Sequence, residues 1–272
     1  MNKLKKLITL GIMLISICTL IAGCGDEEKT SSQTEEKTIS VVTHANWKPF
    51  EFVDKGNVVG FDVDLINALA EEAGYTCNVN DAGWEAVFQQ VKNGSANAAI
   101  SGITATDERK ETFDFSLPYF ISKQGILVPA DSDITSVEDI KNKNKVVSVQ
   151  NGSTGQIALE KVLGANNPNI KKTALSDQML LNGQVDAMVG DDTSLNALVA
   201  QHSDKNLKIV YDDKEFQPEY FSIMYAKGEN KQVQEDFNNA LKTLVNNGKY
   251  TEIYKKWFNH EPNINELKDL LK

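Results

Sequence analysis

The chain has 272 residues, enough for one large or two small domains with real cores. Apolar residues make up 41% and charged residues 24%, which excludes a disordered or fibrous chain. Acidic residues number 38 against 28 basic ones, and this excess argues against nucleic acid or direct adhesion to anionic lipid as partners.

Lys3, Lys5 and Lys6 precede an apolar run over residues 7–22, and the small residues Ala22 and Gly23 stand before Cys24. A basic start, an apolar middle and a small-residue end predict a secretory signal. The run falls short of the roughly 20 apolar residues that a lone membrane-spanning helix needs. Ile21-Ala22-Gly23-Cys24 resembles the lipobox of bacterial lipoproteins. That resemblance implies cleavage that removes 1–23 as the signal peptide, and lipid on the sulfur of Cys24, a diacylglyceryl thioether with palmitate. The lipid would anchor the protein on the extracytoplasmic face of a cell membrane, at a Gram-positive cell surface. Cys18 leaves with the signal and Cys24 takes the lipid, so Cys77 is the one free thiol expected and no disulfide helps the core. Residues 24–37, rich in Gly, Asp, Glu, Lys, Ser and Thr, predict a flexible tether, and the folded body starts at Thr38.

Beyond Thr38 short extended runs alternate with helical ones, the pattern of βαβ units and a mainly parallel sheet. Ile39-Ser40-Val41-Val42 predicts the first strand. Asp62 is placed to cap a helix whose Leu65, Ile66, Leu69, Ala70 and Ala73 share one face, with Gly74 ending it. A strand over 75–79, a helix over 85–93 stopped by Gly94 and an apolar strand over 98–103 complete one βαβαβ lobe. After Pro118 the pattern restarts: extended at 125–128, a capped helix at 136–140, a strand at 146–149, then a helix, a strand over 170–175, a helix and a strand over 185–189. A further strand near 221–225 precedes helices at 232–245 and 250–258, which have no lobe of their own to close and must pack on the first. The chain therefore crosses twice, with 38–122 and 223–272 in one lobe and 123–222 in the other. No phosphate-binding glycine loop, zinc spacing or nucleotide fingerprint stands in the sequence, so no cofactor or metal is expected.

Gly60-Phe61-Asp62-Val63-Asp64-Leu65, the run Ser101-Gly102-Ile103-Thr104-Ala105-Thr106-Asp107-Glu108-Arg109-Lys110, and Phe113-Asp114-Phe115-Ser116 occur in that order. Near the end come Asn247-Gly248-Lys249-Tyr250 and Tyr254-Lys255-Lys256-Trp257-Phe258. Together they resemble the polar amino acid binding proteins of ABC importers, extracellular solute-binding proteins of family 3. The likeness covers residues 38–260. It implies an α/β fold of the periplasmic-binding-protein-like type II, two βαβ lobes joined by two crossover hinge segments. It also implies a monomer that takes a free amino acid in its cleft and delivers it to ABC transporter permease subunits, without enzymatic activity.

A zwitterion presents a carboxylate, an ammonium and a side chain, so a selective pocket needs a planar cation, an anion and a wall. Arg109 is the sole arginine of the chain. In the family the arginine at this place holds the ligand α-carboxylate; the rival role is pairing with Asp107 or Asp114 to hold a loop. Thr104, Ser101 and Gly102 lie at the C-terminal end of a predicted strand, where ligands collect in open α/β sheets, placed to take the ammonium and support the carboxylate. Gly152-Ser153-Thr154-Gly155 connects a strand to a helix, so Ser153 and Thr154 either meet an anion at that helix start or simply begin the helix. Family members use an acidic residue at the position of Asp191 for the ligand ammonium; its rival is Asp192, which could instead cap the next helix. Trp47 and Trp84 are the candidate wall, and Trp257 belongs to the core.

His44 replaces an aspartate that many relatives carry, and Gln150 is placed to read a polar side chain. Glu85 offers an anion beside Trp84, or only helix-dipole stabilisation. No second cation is expected for an acidic side chain, so glutamine or a basic amino acid is favoured, with histidine or cystine next. Two other functions compete: a cyclic-acid dehydratase on the same fold, with His44 and Glu85 as acid and base, and a receptor or adhesin for a peptide or protein partner.

Overall fold

The structure is a computed structural model that describes residues 37–272; the signal, Cys24 and the tether up to residue 36 lie outside the described residues. The first strand, Lys37–Thr43, begins one residue before the expected start of the body. Its sheet runs Tyr75–Asp81, Lys37–Thr43, Ala98–Ala99, Met224–Ala226, Phe113–Phe115, parallel over the first three and antiparallel at Met224–Ala226. A second sheet runs Ile170–Lys172, Val147–Val149, Ala187–Asp191, Phe120–Pro129, Leu207–Val210, with its first three strands parallel. These are the centres of two α/β lobes.

Both connections between the lobes are strands, and they pair with each other. Pro218–Phe221 runs antiparallel to the start of Phe120–Pro129, with Phe221 opposite Phe120 and Glu219 opposite Ser122. Phe120 and Phe221 stack at 5.6 Å, 14° from parallel, inside a cluster that includes Phe50, Phe61, Tyr254 and Phe258. Each aromatic pair contributes about 0.5–1.5 kcal/mol beyond its buried area, so one end of the double crossover is fixed in the first lobe. The other end continues into the aliphatic core of the second, where Ile126, Val128, Val147, Val149 and Val189 pack together.

The helix Phe61–Ala73 shows why sequence gives this shape. Phe61, Leu65, Ile66, Leu69 and Ala70 recur at helical spacing and are all buried, and Gly74 closes the helix in the left-handed conformation. Gly60 precedes it at φ 142, where a Cβ would lie 2.0 Å from the Phe50 carbonyl oxygen, so only glycine fits that approach. Asp62 does not cap this helix as expected. Gly60 is the N-cap, and Asp62 lies wholly buried in the first turn, bonded to Tyr119 and Gly102. The C-terminal helices Lys231–Asn247 and Lys249–Phe258 pack on this lobe through Phe237, Leu241, Leu244, Tyr250 and Ile253.

The sequence pattern does not foresee a three-stranded ribbon (Asn46–Trp47, Glu51–Asp54, Asn57–Val59), the helix Asp107–Thr112 with the strand Phe113–Phe115 after it, the edge strand Leu207–Val210 or the helix Ile264–Leu270. The strand expected over 98–103 is paired only at Ala98–Ala99. Its remainder turns away, and that departure carries Ser101, Gly102 and Thr104 out of the sheet.

Candidate functional site

Between the lobes lies a cavity of about 390 Å³. His44, Trp47, Trp84, Ser101, Gly102, Thr104 and Arg109 line it from one side, and Gln150, Ser153, Thr154 and Asp191 from the other. All eleven residues singled out from sequence thus meet around one space.

Arg109 sits on the short helix Asp107–Thr112, whose first turn is capped by the Thr106 hydroxyl accepting the Arg109 N–H at 3.2 Å. Its guanidinium lies over the rings of Phe88, 5.1 Å, and Trp84, 5.7 Å. Nη1 donates to the Thr104 carbonyl at 2.9 Å, and Nη2 reaches across to the Gly152 carbonyl of the second lobe at 3.1 Å. The rival role is not filled: Asp107 pairs with Lys110 and Asp114 with Lys227, and no described carboxylate forms an ion pair with Arg109. Two of a guanidinium's five N–H groups are therefore used on carbonyls, leaving donors for a carboxylate. Burial presses its pKa down, against the pull of the Glu219 and Asp191 carboxylates.

Asp191 ends the strand Ala187–Asp191 and holds the N-cap position of the next helix without capping it. Its Oδ1 accepts from the Ser122 hydroxyl and from Gln124 Nε2, both at 2.9 Å. Burial, and then the Glu219 carboxylate, push its pKa well above the usual range. Asp192 keeps its carboxylate on the N–H and hydroxyl of Thr193 and does not line the cavity.

Thr104 and Thr154 are tied together by a residue that the sequence did not single out. Glu219 Oε2 accepts the hydroxyl of Thr104 and the hydroxyl of Thr154, each at 2.7 Å, so one oxygen holds a side chain from each lobe. Each hydroxyl thereby directs its hydrogen to Glu219 and its lone pairs elsewhere, the polarity an ammonium requires. Gln124, also unforeseen, donates to both Thr154 and Asp191. The Ser153 hydroxyl accepts the Gln156 N–H and caps the helix Thr154–Leu163. What this loop offers an anion is then the Thr154 N–H, which the helix's own ladder leaves open.

The chain matches the model of the bacterial extracellular solute-binding proteins, family 3, over residues 39–260. It belongs to that family. It is 35% identical over 248 residues to the probable histidine-binding protein of Neisseria gonorrhoeae, covering 89% of this chain and 91% of that one. The solved structure of the arginine-, lysine-, histidine-binding protein ArtJ from Geobacillus stearothermophilus superposes with a TM-score of 0.81 at 42% identity, over 85% of this chain and all of that one. An ancestral amino acid-binding protein described as a precursor of cyclohexadienyl dehydratase superposes with a TM-score of 0.71 at 34% identity, over 81% of this chain and 95% of that one. Two α/β lobes joined by two paired crossovers are the type II fold expected of this solute-binding family.

Within this family member the two tryptophans differ in use. Trp47 stacks on Phe50 at 4.5 Å, 15° from parallel, and its ring fills the space where a Cβ on Gly102 would sit, 2.0 Å away. Trp84 meets Phe88 edge-on at 4.9 Å and backs Arg109. Burial lowers the pKa of His44 against the raising charges of Asp81 and Glu85, so its imidazole is neutral at pH 7. Glu85 does not line the cavity and instead accepts from Asn151 of the other lobe at 3.2 Å. A second cation is present after all: Lys48 lines the cavity, its ammonium 4.7 Å from the Phe52 ring, and Asp177 adds an anion from the second lobe. Lys48 lies in the turn between the first two strands of the ribbon, where no motif or periodicity marks its charge.

Proposed function

We propose that the protein captures a free polar amino acid, with a basic or amide side chain, and passes it to an ABC importer. The observation that carries this is a guanidinium from one lobe and a carboxylate from the other lining a single cavity. Arg109 would take the α-carboxylate together with the Thr154 N–H, and Asp191 with the Thr104 and Thr154 lone pairs would take the ammonium. Trp47 and Trp84, with His44 and Gln150, would wall the side chain. The arginine-, lysine- and histidine-binding character of the relatives supports a basic side chain. Residues 38–122 with 223–272, and 123–222, act as the two lobes, hinging at the paired crossovers, and a ligand favours closure only by binding the closed form better. One copy supplies both charged groups, so the protein works as a monomer. The dehydratase alternative loses one of its two candidate groups, because Glu85 turns to Asn151 rather than to the cavity.

A melting screen against the twenty amino acids and cystine tests this. Ligand at 100 times its dissociation constant stabilises by about 2.7 kcal/mol, and that shift is expected from arginine, lysine, histidine or glutamine. A screen in which no amino acid moves the transition overturns the reading.

We also propose that Cys24 carries lipid and tethers the body to the outer face of a cell membrane. Cys24→Ser is expected to move the protein from the membrane fraction to the medium; retention in the membrane fraction would count against the anchor. A single acyl chain binds membranes only marginally, so the two chains of a diacylglyceryl group suit a stable attachment.

A further inference from the structure

Glu51 and Asp62 are fully buried carboxyl residues, Glu51 at the wall of the cavity and Asp62 behind it against Gly102 and Tyr119, and none of the roles assigned above uses them. Glu51 begins the second strand of the ribbon, Glu51–Asp54, and Asp62 stands in the first turn of Phe61–Ala73. Glu51 Oε1 accepts the Ser101 hydroxyl at 2.7 Å. Asp62 Oδ2 accepts the Tyr119 hydroxyl at 2.8 Å and the Gly102 N–H at 3.0 Å. The other two oxygens, Glu51 Oε2 and Asp62 Oδ1, are buried and have no other donor, and the two carboxyl groups are hydrogen-bonding neighbours.

Two ionised carboxylates cannot share so enclosed a place without a cation. The other ionisable groups that act on the pair are Asp81, Tyr119 and Tyr250, and none of them supplies positive charge. A single proton on Glu51 Oε2, donated to Asp62 Oδ1, satisfies both stranded oxygens at once. We infer that Glu51 and Asp62 share one proton and that this proton makes them positioning residues for Ser101 and Gly102, the turn against which the amino acid is seated. Burial supports the assignment: it pushes Asp62 up to about 7 and Glu51 well above the usual carboxylate range, with the Asp62 charge adding to the rise of Glu51. The consequence for the site is polarity. The Ser101 hydroxyl gives its hydrogen to Glu51 while accepting the His44 N–H, and the Gly102 N–H is drawn to Asp62 and the Tyr119 oxygen. Neither donor is left for the cavity, so this turn suits an ammonium rather than a carboxylate.

The competing role for Glu51 is an ionised carboxylate that contacts the ligand directly. Glu51→Gln separates the two, because a glutamine amide can donate to Asp62 and accept from Ser101 as the protonated acid does, yet bears no charge. With L-arginine as the probe at neutral pH, E51Q is expected to bind within about threefold of wild type. Glu51→Ala, which strands the Ser101 hydroxyl and Asp62, is expected to lose about tenfold or more. The infrared carbonyl stretch of a protonated carboxyl is expected in wild type and not in E51Q, so that one band stands in the wild-type-minus-E51Q difference, a difference that cancels any proton on Asp191. Equal losses in E51Q and E51A, or no difference in that band, would overturn the inference. Should E51Q fail to fold, Asp62→Asn, whose amide can donate to Glu51, carries the same comparison. The seating of the amino acid rests on the function proposed above, but the infrared difference is read on the protein alone, so failure of L-arginine to bind and absence of the proton are separate results.

Discussion

Arg109→Lys is expected to weaken amino-acid binding by about a hundredfold, and Arg109→Ala by about a thousandfold or more, while leaving the fold intact. Truncating one partner of a buried, hydrogen-bonded charge pair costs about 2–5 kcal/mol, and a tenfold change in affinity corresponds to about 1.4 kcal/mol. The conservative change fails for geometric reasons. The guanidinium is held flat over Phe88 and Trp84, with one nitrogen on each of two carbonyls from opposite lobes. A lysine ammonium could reach one of those carbonyls, but it has no planar fork with which to grip a carboxylate while keeping them. Its loss also removes the direct link from the helix Asp107–Thr112 to the Gly152 loop, so closure is weakened along with binding. Calorimetry with L-arginine and circular dichroism of each variant check both statements. An R109K affinity within about threefold of wild type would show that the bidentate grip does not exist.

The two-lobe fold was legible because its helices repeat apolar residues at helical spacing and stop at glycines, as Phe61–Ala73 does at Gly74. The ribbon over Asn46–Val59 was not, since its strands are two to four residues long and largely exposed, too short for alternation to show. Asp62 misled for a different reason. A carboxylate in a first turn is ordinarily a cap or a dipole partner, and only the tertiary approach of Tyr119 and Gly102 explains its burial. The site divides in the same manner. Residues in the loops at strand ends, such as Thr104 and Asp191, stand where ligands gather in α/β folds, so position alone brings them forward. Glu51, Gln124 and Glu219 lie within strands, where a polar residue reads as the solvent side of the pleat. Their function comes from which element crosses above them, and the crossover that brings Glu219 between two threonines depends on pairing between residues about a hundred positions apart.

Asp191 should make binding sensitive to acid. In the ligand-free protein its carboxyl is enclosed and faces the Glu219 carboxylate, so it holds a proton at pH values where an exposed aspartate would be ionised. A ligand ammonium needs the ionised form, and binding must therefore expel that proton whenever the pH lies below the raised pKa. Affinity is then expected to fall with falling pH, by at most about tenfold per unit, whereas above the raised pKa it should be level. The sign for stability is opposite. A carboxyl whose pKa is higher folded than unfolded binds its proton more tightly in the native state, so its contribution is full below the unfolded pKa, near 3.9, and is lost as pH rises through the folded one. The ligand-free protein thus gives up stability over the same range in which the amino acid gains affinity, and the melting shift caused by L-arginine should widen from acid to neutral pH. Asp191→Asn removes both trends: it keeps an acceptor for Ser122 and Gln124, lowers neutral-pH affinity by about a hundredfold, and leaves what remains with a flatter pH profile than wild type. Proton release measured by calorimetry in buffers of different ionisation enthalpy reads the same event directly. If wild type and D191N lose affinity in parallel as the pH drops, the ammonium is held by some other group, and the pairing of Arg109 with Asp191 across the cleft is not what grips the zwitterion.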